Sequence, residues 1–309
     1  MIYPLDAYLA SQYRDRPGPV AFIDESVKTR SDGRGDLPFY GMAAVTFAPE
    51  QLNSIRADLL QLAEDDYWHA TEAFSLRRFH QITDLAELIA DRVEWNIVAV
   101  DMPLPDSDRV HIARQTCFAA LAREVTRGEG PGAVRLLVAE RNKDNKLNHL
   151  DHKTAKALRA SKSIHQDVAL THTSMRSEPL LWTADLAAWS TYRVLAVDDN
   201  RWINPLRQVL TVIDARSGQH VPLAHPSRPG GAWTVNNLAN QIRHARANVG
   251  PDRAIQNTPD EIQKRANATR NTFSGPPRPS AVTPSDFTRP SARMVIRGGI
   301  LGHDGLETQ

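Results

Sequence analysis

The stretch PVAFIDES, Pro19–Ser26, decides the fold. Its apolar run has the pattern of a strand that is buried on both faces. We predict a first strand over Pro19–Ile23 that ends in Asp24, Glu25 and Ser26. An acid at this point lies at the carboxyl end of a buried strand, where α/β sheets place their ligands.

Further strands follow, with helical patterns between them. FYGMAAVTF comes after a glycine-containing polar loop, which favours a hairpin with the first strand. WNIVAVDM and AVRLLVAE are predicted as buried strands and DVALTHT as an edge strand. The order predicts an α/β fold: a mixed sheet flanked by helices, antiparallel at its start and parallel later.

Helices are predicted where apolar residues recur at three- and four-residue spacing. The residues from Arg141 to His165 form a polar, basic segment with a short helix around Thr154–Ala160. The other predicted helices are Pro49–Asp65, Thr83–Arg92, IARQTCFAALAREVTR, Leu180–Leu195, Pro205–Ile213 and VNNLANQIRHARA.

Composition excludes several classes of function. The chain has 309 residues, a net charge of +1 and a single cysteine, so neither an internal disulfide nor a cysteine-based zinc site is possible. No phosphate-binding loop of Walker spacing and no Gly-x-Ser-x-Gly motif occurs. No signal peptide and no run of about 20 apolar residues is found, so we expect a cytoplasmic protein with no membrane partner.

Three predicted strands end in an acid: Asp24, Asp101 and Glu140. Each acid alone is equally explained as the start of a turn, and Asp101, which precedes a proline-containing loop, is the weakest of the three. Several buried carboxylates are costly unless a cation compensates them, and Mg²⁺ or Mn²⁺ is the usual choice. Two such ions support hydrolysis of a phosphodiester.

Asp185 lies in a helix between alanines. Small residues such as Ala184 and Ala188 allow close packing on a sheet, which would bring the carboxylate to the strand ends. The alternative is an aspartate on the solvent side of an amphipathic helix.

These motifs together resemble the ribonuclease H-like family called domain of unknown function 3800. The resemblance covers about residues 19–215. It is carried by AFIDES at Ala21–Ser26, the FYGMAAV strand, WHATEAF at Trp68–Phe74 and LLWTADLAAW at Leu180–Trp189. It implies a ribonuclease H-like mixed sheet and an acidic metal centre.

Residue by residue, the resemblance implies Asp24 and Asp185 as metal ligands. Glu140 stands where the family usually has an acid, often an aspartate. Glu25 matches the family's second acid, either as a ligand from the turn or as a supporting group, but it would point away from Asp24 if the strand continues. Val27 replaces a common glycine.

His69 matches a histidine that recurs in the family near the active site. It would donate to a phosphate or shuttle a proton. The alternative is a residue at a helix start, with Thr71 nearby as a cap.

A basic patch follows Glu140 directly and is the candidate contact for a phosphate backbone. The alternative is an ordinary solvated helix. The predicted nucleic-acid contacts are Arg141, Lys143, Lys146, Lys153 and Lys156.

The sequence predicts two regions. Residues 1–249 form the ribonuclease H-like domain. Residues 250–309 form a Pro/Ser/Arg-rich tail that is too poor in large apolar residues to order itself, and that is a candidate for partner recruitment.

The predicted function is metal-dependent hydrolysis of nucleic-acid phosphodiester bonds by Asp24, Glu140 and Asp185, with assistance from His69. The alternative is a non-catalytic ribonuclease H-like module that binds nucleic acid or protein. The departures at Val27 and Glu140 motivate the alternative.

Overall fold

A computed structural model describes residues 7–29, 38–93, 95–102, 110–128, 132–197 and 199–221. These residues form a six-stranded sheet with helices on both faces. The strands are β1 Val20–Lys28, β2 Phe39–Phe47, β3 Trp95–Asp101, β4 Leu136–Glu140, β5 Ala169–Thr173 and β6 Leu210–Asp214. The helices are α1 Ala7–Asp15, α2 Leu52–Ala63, α3 Ala70–Ser75, α4 Phe79–Arg92, α5 Val110–Val125, α6 Asn145–Ala160 and α7 Leu181–Val197.

The strand order is β5-β4-β1-β2-β3-β6. The first three strands form an antiparallel meander, β4 pairs parallel to β1, and β5 pairs parallel to β4. β6 extends the other edge, parallel to β3. This is the predicted mixed, ribonuclease H-like sheet, but its antiparallel part includes β3 as well as the predicted opening pair.

The side chains of β1 point alternately into two hydrophobic cores, one on each face of the sheet. Val20 and Phe22 face one side, which is covered by α2, α4 and α7 and is called the α7 face. Ala21 and Ile23 face the other side, which is covered by α5 and α6 and is called the α5 face. Because strand side chains alternate, adjacent residues of β1 belong to different faces.

Two of the predicted elements are wrong in type or length. β1 does not end at Ile23 but continues to Lys28, because β2 pairs with it along its whole length, from Val20 to Lys28. The predicted helix over Pro205–Ile213 is only a short 3-10 turn, after which Leu210–Asp214 becomes a strand. Pairing with the free edge of β3 outweighs the weak helical pattern of this β-branched segment.

Helix boundaries also differ from prediction. α4 begins at Phe79 rather than Thr83. α6 is much longer than expected, because Asp144 caps its start by accepting from the Lys146 N–H at 2.9 Å. The short helices α1 and α3 were not predicted. The predicted helix VNNLANQIRHARA, the domain boundary and the C-terminal tail lie outside the described residues.

Within the described ranges, no helix is both long and apolar enough to cross a membrane.

Gly41 of β2 lies on the α7 face, directly against a buried aromatic ring. A Cβ at this position would come within 2.7 Å of Phe39 Cε1 and closer still to Cζ. The ring of Phe39 is fully buried and packs on Tyr192, with ring centroids 5.7 Å apart. It therefore has little room to move.

We predict that Gly41→Ala lowers the free energy of unfolding by about 1–3 kcal/mol, the usual cost of overpacking a core. Urea denaturation measures this. The matched control is Gly132→Ala, where a Cβ meets nothing within 4 Å, so the free energy should stay the same or rise slightly. Equal losses in the two variants would contradict the packing argument.

Candidate functional site

Strand alternation places Asp24 and Glu140 together on the α7 face. Asp24 continues the series of Val20 and Phe22, and Glu140 continues the β4 residues that point to the same core. Ile23 pairs with Ala139 in the parallel β1–β4 register, so the two acids follow at the same level. Their carboxyl groups are close enough for each to affect the other's pKa.

Helix α7 adds Asp185 to this pair. Ala184 and Ala188 are fully buried, which lets the helix lie close on β1 and β2. Asp185 is itself only 3% exposed, so the alternative of a solvent-facing aspartate is wrong. Its charge acts on Asp24, which is also 3% exposed.

The start of α3 holds Asp185 in place. The Ala70 N–H donates to Asp185 Oδ2 at 2.6 Å. His69 Nε2 lies 3.7 Å from Asp185 Oδ1, and His69 Nδ1 accepts from the Thr71 N–H at 3.2 Å. His69 is therefore at a helix start, as in the alternative interpretation, but the cap is His69 itself and not Thr71, and His69 also lies beside the acids.

Asp24 and Asp185 are buried and Glu140 is partly buried, and the only basic side chain beside them in the described chain is His69. Burial raises the pKa of Asp24 well above its ordinary value, and the charges of Asp185 and Glu140 raise it further. Burial also raises the pKa of Asp185, which His69 and the Ala70 N–H partly oppose, and that of Glu140, which its interaction with Asp24 partly opposes. No lysine or arginine of the described chain forms an ion pair with these acids.

The donor chemistry fits a hard divalent cation, because oxygen ligands are those that Mg²⁺ and Mn²⁺ prefer. Among the described residues, however, no three His, Cys, Asp or Glu side chains are already arranged as a metal site. The acids are close enough to raise one another's pKa, but metal binding would require them to adjust.

Glu25 is not placed with the other acids. It follows Asp24 in β1 and so points to the α5 face, where Arg114 forms a salt bridge with it and Asn142 Nδ2 donates to it at 3.2 Å. The turn that was expected to hold Glu25 as a ligand does not exist, because the strand continues. Glu25 instead belongs to a charged network in which Arg114 also binds Asp151, at 2.9 and 2.7 Å.

Asp101 also lies outside the cluster. It is fully buried at the end of β3, on the face opposite Asp24, and accepts two hydrogen bonds from Arg216 at 2.8 and 2.9 Å. Its partner explains its burial, so the strand-end acid with the weakest support is structural.

The predicted basic patch lies mainly in the other helix layer. Arg141, Lys143 and Lys146 follow Glu140 near the carboxyl end of β4, and all three are exposed. Lys153 and Lys156 are exposed on α6, which packs against α5 and runs back from that edge. Lys156 lies about 16 Å along the helix axis from its start.

Comparisons with known proteins add little. No family model and no curated protein matches the chain. Two solved structures show a weak likeness: Bst-RNase HIII in complex with Mn²⁺ (15% identity, 83% of this chain and 71% of that chain, TM-score 0.33) and a mutant form of Bst-RNase HIII (14%, 82%, 70%, 0.33). The fold class therefore rests on the sheet itself: an α/β protein with ribonuclease H-like strand order. Membership of the domain of unknown function 3800 family stays a prediction.

The uncompensated acids predict an unusual stability effect. A carboxyl group whose pKa rises on folding destabilises the folded protein once the pH exceeds the unfolded pKa, and has no such effect below it. In buffer with EDTA, Asp24→Asn should raise the free energy of unfolding at pH 7 by on the order of 1 kcal/mol. The gain should vanish as the pH falls below the ordinary aspartate value of 3.8.

Asp199→Asn is the control, because the free energy of unfolding should change in the opposite direction. Hydrogen bonds from Arg201 and Arg193 lower the pKa of Asp199, so its charge stabilises the fold above the unfolded pKa. This variant should be less stable than the parent at pH 7. Urea denaturation across the pH range measures both, and destabilisation by Asp24→Asn at pH 7 would refute the uncompensated cluster.

Proposed function

We propose that this protein is a metal-dependent hydrolase of nucleic-acid phosphodiester bonds. Asp24, Glu140 and Asp185 would hold Mg²⁺ or Mn²⁺. The observation that carries the proposal is that these acids, distant in sequence, are gathered on one face of the sheet with no lysine or arginine partner among the described residues. A divalent cation is the simplest compensation for such a cluster.

The cation would lower the pKa of a bound water and polarise the phosphate. The protein's own part is to fix the acids: β1 and β4 position Asp24 and Glu140, and the Ala70 N–H orients Asp185. His69 has its Nε2 on the side of Asp185, where it would donate a hydrogen bond or move a proton at the phosphate.

Nucleic acid is the proposed substrate for two reasons. AFIDES and LLWTADLAAW, which carry the resemblance to the domain of unknown function 3800 family, supply Asp24 and Asp185 of this cluster. Arg141, Lys143 and Lys146 follow Glu140, where they would contact phosphates. Lys153 and Lys156 lie farther along α6 in the other helix layer and are the weaker candidates.

The second candidate is a non-catalytic module on the same fold. The lack of a preformed group of three metal-binding side chains among the described residues favours it. Calorimetric titration separates the two: millimolar Mg²⁺ or Mn²⁺ that produces no binding heat supports the module, and saturable binding that Asp24→Asn removes supports the hydrolase.

We predict that Asp24→Asn and Asp185→Asn each reduce Mn²⁺-dependent cleavage of labelled oligonucleotides by more than about 100-fold. Even groups that only support metal ligands cost about 10- to 100-fold when they are changed. Asp84→Asn, on the exposed side of α4, is the matched control and should cleave like the parent. Full activity in both cluster variants would exclude the proposed site.

The His69→Asn variant distinguishes the helix-capping role of His69 from its proposed role in cleavage. Asparagine is a good N-cap, so the free energy of unfolding should change little, whereas cleavage should fall by at least about 100-fold if the ring acts at the phosphate. His69→Ala should lose the cap as well and cost about 1 kcal/mol of stability. Unchanged cleavage by His69→Asn would leave His69 with a purely structural role.

A further inference from the structure

The turn between α3 and α4 is an exposed basic and apolar surface. All its residues, Ser75 to His80, are exposed. Leu76 is 52% exposed and Phe79 is 38% exposed. Arg77 and Arg78 lie between them, so two cations are flanked by two apolar side chains. We call Leu76–Phe79 the α3–α4 turn.

The α3–α4 turn is connected to the acidic cluster by one short helix. α3 begins at Ala70, whose N–H binds Asp185, and it ends at Ser75. Its six residues span about 9 Å. The helix packs on α7 and its buried residues belong to the core of the α7 face, so the turn lies on the same side of the sheet as the acids. Most of the predicted basic patch lies on the other side.

The two arginines are available to a ligand. Neither guanidinium has a hydrogen bond or ion pair to any of the described residues. Two exposed cations without an acidic partner in the described part of the chain, close to a site for phosphodiesters, are complementary to a negatively charged backbone.

The turn has a defined shape. The Arg77 N–H donates to Phe74 O at 3.1 Å and the Arg78 N–H to Ala73 O at 2.8 Å, which closes the end of α3. Arg77 adopts a left-handed φ of 58°. The ring of Phe79 packs against Phe74 and Trp202, with centroid distances of 5.6 and 5.5 Å. A ligand would therefore meet a surface that is already ordered.

We propose that the α3–α4 turn binds single-stranded nucleic acid and leads it to the acidic cluster. Arg77 and Arg78 contact successive phosphates, and a base packs on the exposed part of Phe79 beside Leu76. Single strands fit this surface because their base faces are open, whereas a duplex hides them. The inference rests on the proposed function, because it assigns the substrate class of the same site.

The test is fluorescence anisotropy with a labelled single-stranded oligonucleotide, in EDTA so that no cleavage occurs. The salt dependence is the slope of the logarithm of the binding constant against the logarithm of the salt concentration. Arg77→Gln together with Arg78→Gln should reduce the magnitude of this slope by about 1.4, because each phosphate contact to a single strand contributes about 0.7. Phe79→Leu keeps an apolar group against Trp202 and should weaken binding about tenfold through lost stacking. The matching duplex should bind more weakly than the single strand.

Arg14→Gln together with Lys162→Gln is the matched control, because it removes the same charge from exposed positions that neither proposal uses. It should leave the salt dependence unchanged. Equal effects of the two double variants, or equal binding of the duplex and the single strand, would overturn the proposal. So would parent-like binding by Phe79→Leu. Circular dichroism confirms that each variant is folded.

Binding in EDTA separates this inference from the proposed function. If Asp24→Asn does not change cleavage but the arginine variant binds poorly, the hydrolase site is wrong and the binding surface stands. If Asp24→Asn abolishes cleavage while the arginine variant binds normally, the site stands and this surface is wrong.

Discussion

Buried carboxylates that lack a cation are the constraint around which this structure is arranged. Asp24 and Asp185 are almost fully buried, and the charge of Asp185 raises the pKa of Asp24. Three other buried acids each pair with an arginine: Glu178 with Arg56, Asp151 with Arg114, and Asp101 with Arg216. The chain thus supplies partners where charge is structural. Asp24, within β1, has no arginine or lysine partner among the described residues, and this difference is the basis of the proposed metal site.

Strand alternation sorts the acids into these two groups. Asp24 and Glu25 are neighbours in sequence, but one faces α7 without a basic partner in the described chain and the other faces α5 beside Arg114. Likewise, Glu140 and Asp101 both end strands, yet they lie on opposite faces. A turn after Ile23 would have left the direction of Glu25 open. The continuation of β1 to Lys28 fixes it, because the pairing with β2 extends the period of two through both acids.

The sequence was sufficient for features that depend on local patterns. Apolar runs located β1 to β5, and an aspartate among alanines in α7 identified a buried acid. It was insufficient where a residue distant in sequence determines the local structure or the ion-pair partner. The strand Leu210–Asp214 forms because β3 has a free edge, and the cation for Glu25 is an arginine in the apolar pattern of α5. An arginine on an otherwise apolar helix face was the available signal. The Ala70 N–H has no sequence signal, because a backbone donor carries no residue type.

Helix α3 connects the acidic cluster to the exposed α3–α4 turn. Its first turn carries His69 and the Ala70 N–H, both directed at Asp185, and its last turn ends in an exposed basic segment. The helix is hydrogen-bonded at both ends, through the Ala70 N–H to Asp185 at its start and through the Arg78 N–H to Ala73 O at its end. This arrangement gives a physical reason for a short helix here, because an irregular loop would connect the same elements without presenting the Ala70 N–H to Asp185.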